Sequence, residues 1–435
     1  MNKLDLFVTN HVLDFKCNMC GSCCRVWNVF IDDEAIKRFH KIAKEDYLFK
    51  KKLKINIKEN KIIFNFYYNL GLNFIELIKY IRIFFLVFKS DIGVRGSLST
   101  IKKIYNLNNY LDYYLELLEV NEEHSQDIIN ILLKNAKCGF LEKDNRCFIH
   151  KNYGKKVLAD ICYNYPRRIT VTNRGIEIGI SYSCKEAAKL LDDDKKLEFI
   201  KNPEHVNVKV SEDLEREEYS DQYFEIEKIV LEILQNRKLD ICERLILVAR
   251  ALTSKGINLC LCEKDIEASV MTDIIDEKNL LRTLNLVKEI LSKIRKAPKA
   301  ISKEMYVLLD SLYNKTKLLD DEIEHDKLDL FKKGFSNYYK QNEKNLFIIY
   351  ENYYINFILS RAYSQKSLDE RYYIILGHYL ITKFLVINLC IAKRKKVTKA
   401  ILINAIAGVE RYIIHNKNYC EDIVNVYKKK FDILL

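Results

Sequence analysis

The residues with the clearest capacity for chemistry are cysteines. Cys17, Cys20, Cys23 and Cys24 put four thiols within eight residues, with Gly21 between them to let the backbone turn tightly around a centre. Thiolates are soft donors that select zinc, Cu(I) or iron–sulfur clusters, and a C-x2-C loop lets two sulfurs face one centre. Side chains adjacent in sequence generally diverge, so one of Cys23 and Cys24 is expected to serve another site or role. A second set follows as Cys138-Gly-Phe-Leu, Cys147-x2-His150, Cys162-x2-Tyr165-Pro166-Arg167-Arg168 and Cys184-x-Glu186-Ala-Ala. Such dispersed ligands suit a centre that staples segments together, and the eight cysteines are expected to converge on metal. His150, three residues after Cys147, is expected beside the centre as a hydrogen-bonding group. Arg167 and Arg168, after Tyr165 and Pro166, could grip a carboxylate or a cluster sulfide through directed N–H donors, or pair with nearby acids. Trp27 is expected to pack against the first cluster.

Eight of the thirteen cysteines fall in these sets, while Cys242, Cys260, Cys262, Cys390 and Cys420 are scattered through apolar, helix-like surroundings and read as small buried hydrophobes. The start, MNKLDLFVTN, lacks a charged segment followed by a long apolar core, so the chain is expected in the cytoplasm. A reducing cytosol keeps thiols free, which leaves metal rather than disulfides as the reading of the clusters.

The elements that must hold these residues follow from composition and periodicity. The chain has 435 residues, 49% apolar, with 28 Tyr and 21 Phe against 12 Gly and 3 Pro, which excludes a disordered or collagen-like protein and favours long helices. The net charge of +12 does not imply nucleic acid, because basic residues are interleaved with acids and the runs Lys50–Lys52, Lys393–Lys396 and Lys428–Lys430 are short and dispersed. The most apolar stretch, Phe74 to Phe88, is broken by Glu76, Lys79 and Arg82 and falls short of the roughly 20 apolar residues that span a bilayer, so it reads as a buried helix and no transmembrane segment is expected.

After the first cysteines, Asp32 or Asp33 can cap a helix whose apolar positions Ile36, Phe39, Ile42 and Ala43 share a face. A short hairpin is expected over 54–66, then helices over 73–88 and 98–133. GIEIGISYSC, ending at Cys184, reads as a strand. Helices are then expected over 223–234, 240–254, 273–294, 303–319, 344–362, 367–392 and 397–415. The fold class is thus mainly α: a Cys-rich metal-binding region with a few short strands over 1–200, carrying a helical insertion at about 73–133, and an α-helical domain over 213–435. The boundary is expected in the polar segment 201–214.

CGFLEKDNRCFIH, GKKVLADICYNYPRR and SYSCKEAAKLL together resemble the Cys-rich region of the flagellin lysine-N-methylase family, within the broader Cys-rich zinc- or iron-chelating proteins. Weaker resemblance continues in 232–252 and 351–363. The first cysteines are more compact here, and the gap to the second set longer, than in that family. The resemblance implies transfer of a methyl group from S-adenosylmethionine to lysine ε-amines of flagellin, by a protein holding an iron–sulfur cluster, 4Fe-4S, with zinc as the alternative metal.

The sequence has no glycine-rich nucleotide-binding loop after a strand to locate the donor, and no C-x3-C-x2-C spacing of the kind associated with radical use of it. A polar displacement is therefore expected, needing a base or a desolvated pocket to give a neutral lysine. Glu186 and Glu351 are candidate carboxylates; Glu186 reads first as a helix-start acid. Glu351, Tyr353 and Tyr354 are expected to line a substrate cleft between the front and back domains. The competing readings are a non-enzymatic metal-chelating or redox-sensing protein with a helical interaction module, and a zinc-stapled structural protein. The oligomeric state is open.

Overall fold

A computed structural model describes residues 4–25, 29–30, 32–49, 130–131, 138, 140–206, 208–210, 214–257, 259, 263–271, 276–294, 303–319, 325–361 and 367–432. The hairpin expected over 54–66, the helix over 73–88 and nearly all of that over 98–133 lie outside these residues, as do Trp27, Cys260, Cys262 and the Lys50–Lys52 run.

Along the chain come β1 (Leu6–Thr9), α1 (Asn10–Asp14), β2 (Val29–Phe30), α2 (Asp33–Glu45), β3 (Asn130–Ile131), α3 (Phe148–Tyr153), α4 (Asp160–Asn164), β4 (Arg167–Thr172), β5 (Ile176–Ile180), α5 (Lys185–Ala188), β6 (Phe199–Lys201) and β7 (Arg216–Glu217). The helical remainder comprises α6 (Asp221–Leu234), α7 (Ile241–Ser254), α8 (Glu263–Val270), α9 (Glu277–Ile294), α10 (Lys303–Asp310), α11 (His325–Gly334), α12 (Phe347–Leu359), α13 (Leu368–Lys393), α14 (Lys399–Val409) and α15 (Lys417–Asp432). The protein is mostly helical with a few short strands, as expected. Asn130 and Ile131 depart from the expected helix, because they pair antiparallel with Phe30 and Val29.

The compact units are Met1–Asn18 with Tyr165–Leu435, and Met19–Asn164. In the larger unit five strands form one sheet in the order β6-β1-β5-β4-β7. β4 and β5 are an antiparallel hairpin; β1 lies parallel to β5, with Val8 opposite Ile178. The polar segment expected as a domain boundary instead connects β6 to β7 within this sheet. The strands therefore share a unit with the back helices, because their apolar residues Val8, Ile178 and Ile180 enter the same core as those helices.

That core is centred on α12 and α13. Every residue from Ile349 to Leu359 and from Arg371 to Ile391 is buried. Among the described helices only α13 is long and apolar enough to cross a bilayer, and protein covers it on all sides. Helices buried all round must bring partners for their polar groups. Asn356 donates to Ile180 O at 2.6 Å and accepts from Ile180 N at 3.2 Å, while Asn352 donates to Leu191 O and Asp193 O. Glu351 is fully buried, paired with Arg244 Nη1 at 2.6 Å and Arg237 Nη2 at 2.9 Å. Lys383 on α13 reaches Glu343 Oε1 at 2.8 Å.

Caps set helix starts as the sequence implies. Asp240 and Glu243 form a reciprocal capping box on α7, and Ser220 accepts from Tyr223 N at the start of α6. In the smaller unit Asp32 caps α2, whose Ala35, Phe39 and Ala43 pack with Phe49, Phe140 and Phe148.

Two stability predictions follow from this packing. Gly179 sits where an added Cβ would fall 2.6 Å from Ser360 Cα, so Gly179→Ala should destabilise by about 1–3 kcal/mol in urea melts, through displacement of backbone rather than of a flexible side chain. Burial holds His378 down at about 3 and His11 at about 4, against 6.5 for the free group. Below pH 6.5 the unfolded chain then binds protons that the folded one refuses. Stability is therefore full above pH 6.5 and falls as the pH drops towards 4, by about 1.4 kcal/mol per pH unit for each histidine. Urea midpoints at pH 7, 6 and 5 should show a shallower fall in His378→Phe than in the parent.

Candidate functional site

Five of the eight expected ligands come together in the smaller unit. Gly21, at φ +67°, lies so close to the 141–147 loop that a Cβ would meet Asn145 O at 2.6 Å, and Cys138 N donates to Cys24 O at 2.7 Å. The 138–148 segment folds on itself through a bridge between Leu141 and Cys147 and the bond from Phe148 N to Phe140 O. Asp32, besides capping α2, accepts from Asp160 N at 2.6 Å, and Arg38 of α2 donates to Leu158 O, which ties the start of the Cys162 helix to α2. Cys24 thereby stands in the field of Cys23, Cys138 and Cys147, and Cys162 in that of Cys138, Cys147 and Cys23. Cys23 and Cys24 of the first set thus lie near Cys138, Cys147 and Cys162 of the second, in place of the expected convergence of all eight. Cys23 and Cys24, expected to part, keep their sulfurs 3.8 Å from each other.

The main chain aims donors at two of these sulfurs. Cys147 precedes α3 without a hydrogen bond to its thiol from that helix's first turn, but the nearby N–H groups of Ile149 and His150 favour its thiolate, as those of Phe140 and Leu141 favour that of Cys138. His150 thus serves Cys147 through its backbone, while burial lowers its imidazole. Burial raises Cys138 to about 12 and pushes Cys162 well above the ordinary thiol value; for Cys24 the bond with Cys23 is the largest cause and burial the next. A bound cation reverses this balance, since a coordinating thiol loses its proton outright. In kind the donors fit a soft metal: five thiols, a dry aromatic wall and N–H groups directed at sulfur. In position they are looser, for among the described residues no three Cys, His, Asp or Glu side chains surround one point closely enough to hold an ion.

The other three expected ligands differ. Cys20 is exposed, its thiol 3.3 Å from Ser22 Oγ, and Cys17 is exposed too. Cys17 and Cys184 belong to the larger unit, where Cys184 stands half-buried immediately before α5 with no side-chain bond to that helix's N–H groups. Cys242, Cys390 and Cys420 are buried in the helical core, as read from the sequence.

The larger unit gathers a second polar cluster, which sequence reasoning did not assemble. Arg168 on β4 and Ser181, just past β5, both meet Glu410, in the π-helical turn Glu410–Ile414, and His415, which follows that turn; Ser183 meets His415 and Ser181. Ser181 Oγ is 2.7 Å from Glu410 Oε1 and 2.9 Å from His415 Nε2; Ser183 Oγ is 3.0 Å from the same nitrogen and 3.2 Å from Tyr165 OH. Tyr182 N donates to Glu410 Oε2, and Arg411 donates to Ser183 O. Burial, then Arg168 and Arg411, holds His415 well below its usual value; burial pushes Glu410 up. Arg168 does pair with a carboxylate, that of Glu410, while Arg167 lies over the Phe15 ring. The available signal was Glu410-Arg411, a charged pair inside an otherwise apolar helix.

Glu186 stands in the first turn of α5 and pairs with Lys189, the helix-start role expected of it. Glu351, Tyr353 and Tyr354, expected to line a cleft, are instead interior: Glu351 is occupied by two arginines, Tyr353 stacks on His378 and Tyr354 OH reaches His378 Nδ1.

Residues 227–435 match the family model described as the FliB lysine N-methylase C-terminal domain. No curated protein and no solved structure matches.

A metal-binding role for the five gathered thiols predicts that Cys138→Ser or Cys162→Ser lowers the iron or zinc content of anaerobically purified protein and its soluble yield together, since such centres couple to folding. Cys390→Ser, in the other unit, should retain the parent's metal content.

Proposed function

For a chain that belongs, through residues 227–435, to the FliB lysine N-methylase family, we propose the function of a protein lysine N-methyltransferase, with flagellin as acceptor and S-adenosylmethionine as donor. The match to the C-terminal domain is the observation that carries this reading, and the motifs around Cys138, Cys162 and Cys184 agree with it from outside the matched segment. The cytoplasm, where flagellin subunits are made, is the proposed location, and no nucleic acid is required.

Cys23, Cys24, Cys138, Cys147 and Cys162 are the thiols proposed to hold a 4Fe-4S cluster, with zinc as the alternative. In that place a cluster supplies a fixed charge and a crosslink between segments remote in sequence. The chain's own task is to strip water from an alkylammonium so that its proton leaves near neutral pH, because desolvation disfavours the charged form. Direct displacement then needs a lone pair in line with the sulfonium methyl group. A second reading, a metal-chelating or redox-sensing protein, draws on the thiols lying outside the matched segment.

Anaerobic incubation with flagellin and methyl-labelled S-adenosylmethionine tests donor and acceptor together. Label should enter flagellin lysines at a rate that rises with pH, and no deoxyadenosine should form. Deoxyadenosine produced in step with product would replace displacement by radical chemistry. Failure to bind the donor at millimolar concentration, with the metal intact, would favour the chelator or sensor.

A further inference from the structure

Folding joins two basic stretches that lie far apart in the sequence. Residues 331–345 and 391–400 hold nine lysines and arginines and a single acid, Glu343. The π-helical turn Phe335–Tyr339 and the 3-10 turn Lys340–Asn345, which follow α11, lie against the loop that ends α13. Tyr338 O accepts from Val397 N at 2.8 Å, Gln341 Oε1 from Lys396 Nζ at 3.0 Å and Val397 O from Asn342 Nδ2 at 3.2 Å. Gly334 packs so closely on Ile391 that an added Cβ would fall 2.2 Å from its Cγ1. The carboxylates of this surface are already engaged: Glu343 pairs with buried Lys383 at 2.8 Å and Asp192 with Lys399 at 2.6 Å. Lys333, Lys340, Lys344, Lys393, Arg394, Lys395 and Lys396 are exposed and, among the described residues, form no ion pair. Asp329, one turn before Lys333 on α11, offsets at most one of these charges. A helix C-terminus attracts cations only within its last turn, which accounts for Lys393 and Arg394 but not for Lys340, Lys344, Lys395 and Lys396. Arg394 itself takes the left-handed conformation, φ +50°, that glycine or asparagine ordinarily supplies at a helix end.

We propose that this surface docks an acidic stretch of the protein that carries the acceptor lysine, a role that rests on the methyl transfer proposed above. A concentration of like charge with no internal counter-charge repels itself, and an acidic partner relieves that repulsion as it binds. Such a surface speeds encounter and orients the substrate chain without touching the reacting atoms. Its composition favours carboxylates over phosphates. Six of the seven cations are lysines, point charges without the planar fork of arginine. The end of α13 presents main-chain carbonyls here, whereas phosphate binding draws on the N–H groups of helix N-termini. An anionic membrane would take up apolar side chains beside the basic ones, and neither stretch exposes a large hydrophobic residue.

The test uses full-length protein, flagellin and labelled S-adenosylmethionine, with flagellin binding measured separately in the absence of donor. It compares the parent, the double variant Lys340→Glu, Lys395→Glu and a control of equal charge change at exposed positions of and just past α6, Lys228→Glu, Lys238→Glu. The patch variant should raise KM for flagellin by about tenfold or more at low salt, with kcat and melting temperature unchanged, and the gap should close at about 1 M salt. Poly-glutamate should compete with flagellin for the parent and not for the patch variant, and the control should behave as the parent. If the parent transfers methyl and the patch variant keeps its KM within twofold, or if the control raises KM as much, the docking role falls and the methyltransferase reading stands. If the parent binds duplex DNA or phosphatidylserine vesicles through the patch more tightly than it binds flagellin at the same salt, the acidic-protein partner is overturned. If the parent transfers no methyl yet binds flagellin through the patch in a salt-dependent way, the methyltransferase reading falls and the docking surface stands. If it neither transfers methyl nor binds flagellin, both fall.

Discussion

Much of the larger unit depends on how a helix with no exposed face finds partners for its charged and amide groups. α12 carries Glu351, Asn352 and Asn356 into the interior, where each unpaired polar atom would cost a few kcal/mol. Each finds a different partner: arginines 237 and 244 for Glu351, the turn after α5 for the Asn352 amide nitrogen, and the main chain of Ile180 for Asn356, while the buried Asn352 Oδ1 is left without one. An apolar helix could slide or rotate in such a core, whereas these bonds fix both its register and its rotation. Through Asn356 that register passes to β5, and through β5 to the serines that follow it.

The same constraint explains a denser network nearby. Arg361, at the end of α12, is fully buried between Glu177 of β5 and Glu227 of α6, with Tyr223 at its side. Two carboxylates around one guanidinium leave a negative surplus, and Arg174 reaches Glu177 at 3.0 Å and Glu227 at 3.6 Å to offset it. Removing one member of such a set leaves an uncompensated buried charge, which is why networks of this kind act as a unit.

Periodicity and caps made most of the long helices legible: Asp240 and Ser367 stand immediately before α7 and α13, where the apolar pattern begins. The helices over 263–270, 325–334 and 417–432 escaped, because their patterns are short or diluted by charge, as in HDKLDLFKKG. β1 escaped because four residues have no periodicity to speak of; its pairing with β5 is a non-local fact. The thiol gathering was readable from spacing, since soft ligands in two clusters imply closure between them. Its membership was not, because whether Cys17 or Cys162 joins is decided by which unit its backbone enters. The Ser183–His415 cluster was least legible: its members span more than two hundred positions, and none is unusual in its local context. Glu351 misled in the opposite direction, because a carboxylate beside aromatic residues looks the same in sequence whether it faces a ligand or two arginines.

The smaller unit is inserted between residue 18 and residue 165 of the larger one, and this has a consequence during synthesis. β1 leaves the ribosome first, yet its neighbours β5 and β6 are made only after the whole insert. Until then its edges stay open, a template for mispairing with other chains. The insert's contacts, by contrast, are complete once Asn164 has emerged, so its cysteines can be brought together before the sheet closes. The order of translation thus separates assembly of the thiol cluster from assembly of the Ser183–His415 cluster, which needs the C-terminal turn and is the later of the two to form.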